Sequence, residues 1–162
     1  MIWAAGLPAA YMRYIMTIAE AIDRADSLRP NQYTFTQKVN WLSDLDSQAY
    51  EEVLLTARKN WKPKVIEQII DGEVTQKENP RQIVPAFDFN GYDETTPETT
   101  ELLIDDLYAG CYIDWLISKI DYYNREAAAY NNSSAVFNSQ YQAWCSWYRS
   151  KNLPIGRRVQ RI

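Results

Sequence analysis

At 162 residues with a formal net charge of −4, the chain is long enough for one packed domain and lacks the overall basic field that phosphate-backbone binding depends on. It has no histidine, which excludes Ser-His-Asp and Cys-His nucleophile arrangements and every His-containing metal site. Twelve Tyr and six Trp are more than a core of this size needs, so some rings are expected at protein interfaces, where they offer contact area and keep a polar handle.

Residues 1–15 are apolar but contain Pro8 and Arg13, and they fall short of the ~20 residues of a membrane-spanning helix. The basic residue follows the apolar run instead of preceding it, unlike a secretory signal. Because Met16-Thr17 reads as a natural start, these residues are expected to form an N-terminal extension outside the fold.

Thr17-Ile18-Ala19-Glu20 is a capping box, so a helix should begin there and end at Leu28-Arg29-Pro30, where proline disfavours helical geometry in the residue before it. A second box, Thr34-Phe35-Thr36-Gln37, opens a longer amphipathic helix to about Ala57. Its apolar positions Phe35, Val39, Leu42, Leu45, Ala49 and Val53 recur at three- and four-residue steps. The carboxylates Asp44, Asp46, Glu51 and Glu52 fall on the other face, which is expected to be solvated.

Residues 58–99 are broken up by Pro63, Gly72, Pro80, Pro85, Gly91 and Pro97, and are expected to be an irregular loop region and a candidate contact segment. Pro63 and Gly72 bracket a short helix over 64–70, and 82–87 reads as extended. From Asp106 a four-three alternation through Ala109, Ile113, Leu116, Ile120, Tyr123, Ala127, Tyr130, Ser134, Phe137, Tyr141, Trp144 and Tyr148 predicts one long helix with a seam that packs on other helices. Asn131-Asn132-Ser133-Ser134 compete for the backbone, so the helix should kink or turn back there. Trp147 lies off the seam and is the better interface candidate. Pro154 ends the helix, leaving residues 152–162 as a basic tail with Arg157, Arg158 and Arg161.

Catalytic chemistry is hard to place. The five glycines form no phosphate-cradling loop, and Asp105-Asp106, the nearest candidate for a carboxylate pair along with Asp114, sits where it should cap a helix. Cys111 and Cys145 are expected to be reduced, packed thiols. No enzyme activity, cofactor or metal is expected. The fold class predicted is all-α: a small helical bundle over 16–151 with one long C-terminal helix and the irregular insertion.

Two stretches carry a resemblance to a known family. MTIAEAIDRADSLRPNQYTFTQKVNWLSDLDSQAYEEV, residues 16–53, and TELLIDDLYAGCYIDWLISKIDYYNREAAAYNNSSAVFNSQYQAWCSWY, residues 100–148, resemble the head-to-tail connector (adaptor) proteins of tailed bacteriophages and prophages. That resemblance implies a helical virion subunit of the phage neck. It would form a ring, a dodecamer, that joins the portal protein to the stopper or tail-completion protein, with DNA only as passing cargo, no membrane, and assembly in the host cytoplasm. In such adaptors a chain terminus can reach into the portal, and Arg157, Arg158 and Arg161 are the candidates for that docking. Phe137, Tyr141, Trp144, Trp147 and Tyr148 are the candidate seam and interface residues. The alternative reading is a small helical regulatory or protein-binding module, which should remain a monomer or dimer.

Overall fold

The computed structural model describes residues 15–156 and 160–161. Four helices make up its body: α1 (Ile18–Leu28), α2 (Phe35–Glu52), α3 (Gly110–Tyr123) and α4 (Ala127–Lys151). Both predicted capping boxes form. The Thr17 hydroxyl accepts from the Glu20 amide while the Glu20 carboxylate accepts from the Thr17 amide, and Thr34 and Gln37 repeat the exchange at α2. The core is shared by all four helices and includes Ile18, Ile22, Leu42, Leu45, Leu116, Ile120 and Trp144.

The all-α expectation is wrong. Between α2 and α3 the chain builds a long antiparallel hairpin, β1 (Trp61–Ile70) and β2 (Glu73–Pro85), and a short strand β3 (Gln160–Arg161) pairs parallel with Gln82–Ile83. The fold is therefore an α+β mix of helices and a small sheet. Residues 64–70 are strand, not the short helix that Pro63 and Gly72 suggested. Lys-Val-Ile-Glu-Gln-Ile-Ile fits both a helical face and a strand, but four of its seven residues are β-branched and Asp71-Gly72 follows directly. Asp71 and Gly72 sit at φ of 53° and 84°, the left-handed pair of the two-residue turn whose twist matches that of paired strands. The turn holds Ile70 opposite Glu73, and this sets the register as far as Lys64 opposite Asn79. Next to Pro80, which has no amide hydrogen to donate, the register slips, and Pro63 faces Ile83.

The C-terminal helix is also not continuous. Its break falls at Asn124–Glu126, before the predicted Asn131-Asn132, and α4 runs through those asparagines unbroken. Arg125 adopts a φ of 60°, and the amides of Asn124 and Arg125 reach back to the carbonyls of Ile120 and Tyr122. The result is an antiparallel α3–α4 pair, which folds the predicted seam back on itself. Leu116 and Ile120 are buried on one helix and Phe137, Tyr141, Trp144 and Tyr148 on the other. Tyr123 and Ala127, which the seam pattern also included, lie at the turn and are exposed.

The loop after the hairpin is tied to the body at both ends. Gly91, at φ of 85°, lets the backbone pass against Ser43 of α2, whose hydroxyl accepts from the Tyr92 amide at 2.8 Å. Further on, the amides of Ile18 and Ala19 donate to the carbonyls of Thr100 and Glu98, and the Leu102 amide donates to the Met16 carbonyl.

Candidate interaction surface

Four of the five predicted seam and interface residues, Phe137, Tyr141, Trp144 and Tyr148, are buried in a ladder along α4 with neighbouring ring centroids 5.6 to 5.7 Å apart. They are core, as the seam periodicity required, and so cannot themselves meet a partner. Trp147 is half-buried against Tyr108, at 5.6 Å between centroids. Of the predicted tail residues, Arg157 and Arg158 lie outside the described residues, and Arg161 belongs to β3 through its backbone.

The tail is anchored at its start. The Arg58 amide donates to the Leu153 carbonyl at 2.8 Å and the Ile155 amide to the Thr56 carbonyl at 2.9 Å, stitching residues 153–155 to the foot of the hairpin. A cleft of about 380 Å³ opens beside this seam, lined by Arg58, Trp61, Lys62, Pro80 and Ile155 among others.

Two buried polar clusters hold the body that carries these surfaces. Asp46 was expected on the solvated face of α2 but is fully buried, whereas Asp44, Glu51 and Glu52 are exposed as expected. The loop over residues 92–104 closes on that side of the helix and supplies Asp46 with two donors, the Tyr92 hydroxyl and the Leu103 amide, and the Tyr112 hydroxyl of α3 is a third. Burial outweighs these hydrogen bonds and pushes the Asp46 carboxyl up to about 6. The Tyr112 hydroxyl in turn accepts from the Ile104 amide at 2.7 Å, so one carboxylate joins α2, the loop and α3.

The second cluster is the buried Asp121, paired with Arg29 at 3.0 Å and accepting from the Ser133 hydroxyl at 2.9 Å, which joins α1, α3 and α4. Sequence reading missed both clusters. Their signal, a single acidic residue inside a helix, is the same one that solvated carboxylates give.

Asp105 does not cap the turn that follows it; its carboxylate accepts from the Trp144 indole at 3.1 Å, tying the loop to the aromatic ladder. Among the described residues no three His, Cys, Asp or Glu side chains gather as a metal site would require, and both cysteines are free and buried. No helix among them is long and apolar enough to cross a membrane.

Exposed contact material gathers in two places. At the α3–α4 turn, Tyr122 and Tyr123 stand beside Tyr33, Trp41 and Tyr130. Tyr123 stacks on Trp41 at 5.3 Å, and a cleft of about 470 Å³ lies between Trp115, Lys119, Tyr130 and Phe137. On the hairpin no residue is buried, and Val65, Ile69, Ile70 and Val74 expose between 52% and 76% of their surface. Single exposed aliphatics are ordinary, but Ile69 pairs directly with Val74 and shares its face with Val65, which makes a small patch, while Ile70 points to the other face. The outer edge of β1 has no partner strand among the described residues, leaving its backbone groups open to pairing. No protein family matches the chain, and no curated protein or solved structure is significantly similar to it.

Proposed function

We propose that this chain is the connector subunit of a phage neck: a structural protein that assembles into a ring between the portal and the stopper or tail-completion protein and lets DNA pass through its lumen. The observation that carries this reading is how the chain divides. The two stretches that resemble connectors, residues 16–53 and 100–148, contain α1, α2, α3 and all but the last three residues of α4, and these pack into a single body sharing one core. The residues that fall outside the resemblance build the hairpin, which adds nothing to that core and projects the exposed aliphatic patch. A fixed helical body bearing an outlying arm suits a subunit whose work is to touch its neighbours.

The acidic balance fits a conduit, because a lumen that bound phosphates strongly would hold DNA by counterion release and slow its passage. Mass photometry and negative-stain imaging of the purified protein, alone and with its portal, test the reading. A closed ring in either sample is the expected result. A monomer or dimer in both would favour a small regulatory or protein-binding module instead.

A further inference from the structure

The charges of this chain are segregated in a way its modest net charge conceals. Arg58, Lys59, Lys62 and Lys64 follow one another at the foot of the hairpin with no carboxylate between Glu52 and Glu67, and Arg81 faces them from β2 near the register slip. Immediately after the hairpin the sign reverses: there is no Lys or Arg between Arg81 and Lys119, and eight carboxylates fall in that interval. Glu94, Glu98 and Glu101 are exposed on the loop beside the start of α1, whereas the basic foot lies past the end of α2. Among the described residues, Arg58, Lys62, Lys64 and Arg81 form no ion pair within the chain.

We infer that the hairpin is the arm by which copies of this chain meet, its basic foot seated on the acidic loop of a second copy. This rests on the ring reading and names its contact. The two surfaces differ, so the contact is heterologous, and one copy can give its hairpin to the next while receiving another on its loop. Repetition of such a contact closes into a ring or runs on as a filament. A two-fold contact of hairpin on hairpin would instead set basic foot against basic foot or leave the acidic loop unused.

Size sets the strength. A strand of ten residues is about 33 Å long, so a two-stranded face offers on the order of 300 Å², well below the ~800 Å² per partner of a standard stable interface. Even with the foot and loop added, one contact alone is weak and salt-dependent, and ring closure supplies the rest by making the last contact intramolecular.

The test is a charge swap between two variants of the full chain. One carries Lys62→Glu, Lys64→Glu and Arg81→Glu; the other carries Glu94→Lys, Glu98→Lys and Glu101→Lys. Circular dichroism checks folding, with the matching Gln variants as a milder pair. Sedimentation velocity at about 50 mM salt and up to about 100 µM protein is expected to show wild-type assembly, each variant weakened tenfold or more, and assembly regained when the two are mixed. Mixing restores it because each variant's altered surface now complements the other's.

If wild type assembles and both variants do so equally, or the mixture stays dissociated, the hairpin contact is overturned while the ring reading stands. If wild type remains monomeric throughout, alone and with its portal, both fall. A monomer that captures short duplex DNA through Lys62, Lys64 and Arg81 would reassign the foot to nucleic acid.

Discussion

Burial of Asp46 pushes its carboxyl up to about 6, and the hydrogen bonds from Tyr112, Tyr92 and the Leu103 amide recover only part of that shift. The unfolded chain releases this proton near the ordinary value of 3.8 and the folded chain near 6, so between those values the native state binds more protons. This group's contribution is therefore fully present below pH 3.8 and is lost as pH rises towards 6, by a total on the order of 3 kcal/mol. Asp46→Asn should remove that slope. Urea unfolding of both proteins from pH 4 to 7 measures it, since other carboxylates cancel in the difference, and parallel curves would show that Asp46 does not titrate in this window. Arg29 offers a second test at this scale. Arg29→Ala leaves the buried Asp121 with Ser133 but no cation, and stability should fall by roughly 1 to 3 kcal/mol, less than for a wholly buried pair because Arg29 is 39% exposed. An unchanged urea midpoint would show that the Arg29–Asp121 pair contributes nothing net to stability.

The hairpin and the helical body are separable elements. Neither strand contributes a buried side chain, and the nearest tethers are at the foot, where the Trp61 indole donates to the Leu55 carbonyl at 2.8 Å and the Ala86 amide to the Asn60 carbonyl. Deleting residues 66–77 and joining Val65 to Glu78 through Asn-Gly keeps this foot and a turn that closes two strands. The shortened protein is expected to melt within about 4 °C of the full chain, a shift that corresponds to roughly 1 to 2 kcal/mol at this length. A larger drop in calorimetry would mean that the arm supports the body. The α3–α4 pair is different, because its aromatic ladder is the core and cannot be trimmed.

At the scale of the whole molecule, the C-terminal segment joins the two elements. Its first residues bond to Thr56 and Arg58 and its β3 pairs with β2, so the segment is partly structural and not a free tail. Ending the chain at Lys151 should lower the thermal midpoint by several degrees, since two backbone hydrogen bonds of about 1 kcal/mol each are lost at the hairpin foot. Ending it at Gly156 keeps those bonds and should leave the body's midpoint nearly unchanged. Charge reversal of Arg157, Arg158 and Arg161 to Glu should weaken capture by the portal while the helical signal persists, if these residues dock on an acidic surface. Pull-down at low and moderate salt tests this, and unaffected capture would remove the tail from the docking surface.

By itself the sequence determined α1 and α2 with their caps and which C-terminal residues are buried: Thr17-Glu20 and Thr34-Gln37 satisfy each other within one turn, and the three-four spacing puts Leu116 and Ile120 on one inward face and Phe137, Tyr141 and Trp144 on another. The hairpin was legible too, in Asp71-Gly72 between β-branched runs, but the competing helical spacing of Val65, Ile66, Ile69 and Ile70 obscured it. Only the tertiary structure decided where the C-terminal helix turns, because Arg125 takes a left-handed conformation that its side chain does not favour and that packing of α3 on α4 imposes. The tertiary structure alone also decided the fate of the α2 carboxylates. Asp44 and Asp46 are two residues apart and chemically identical, and what separates a solvated charge from a buried hub is a loop arriving from some 46 residues further along the chain, bringing Tyr92 to Asp46.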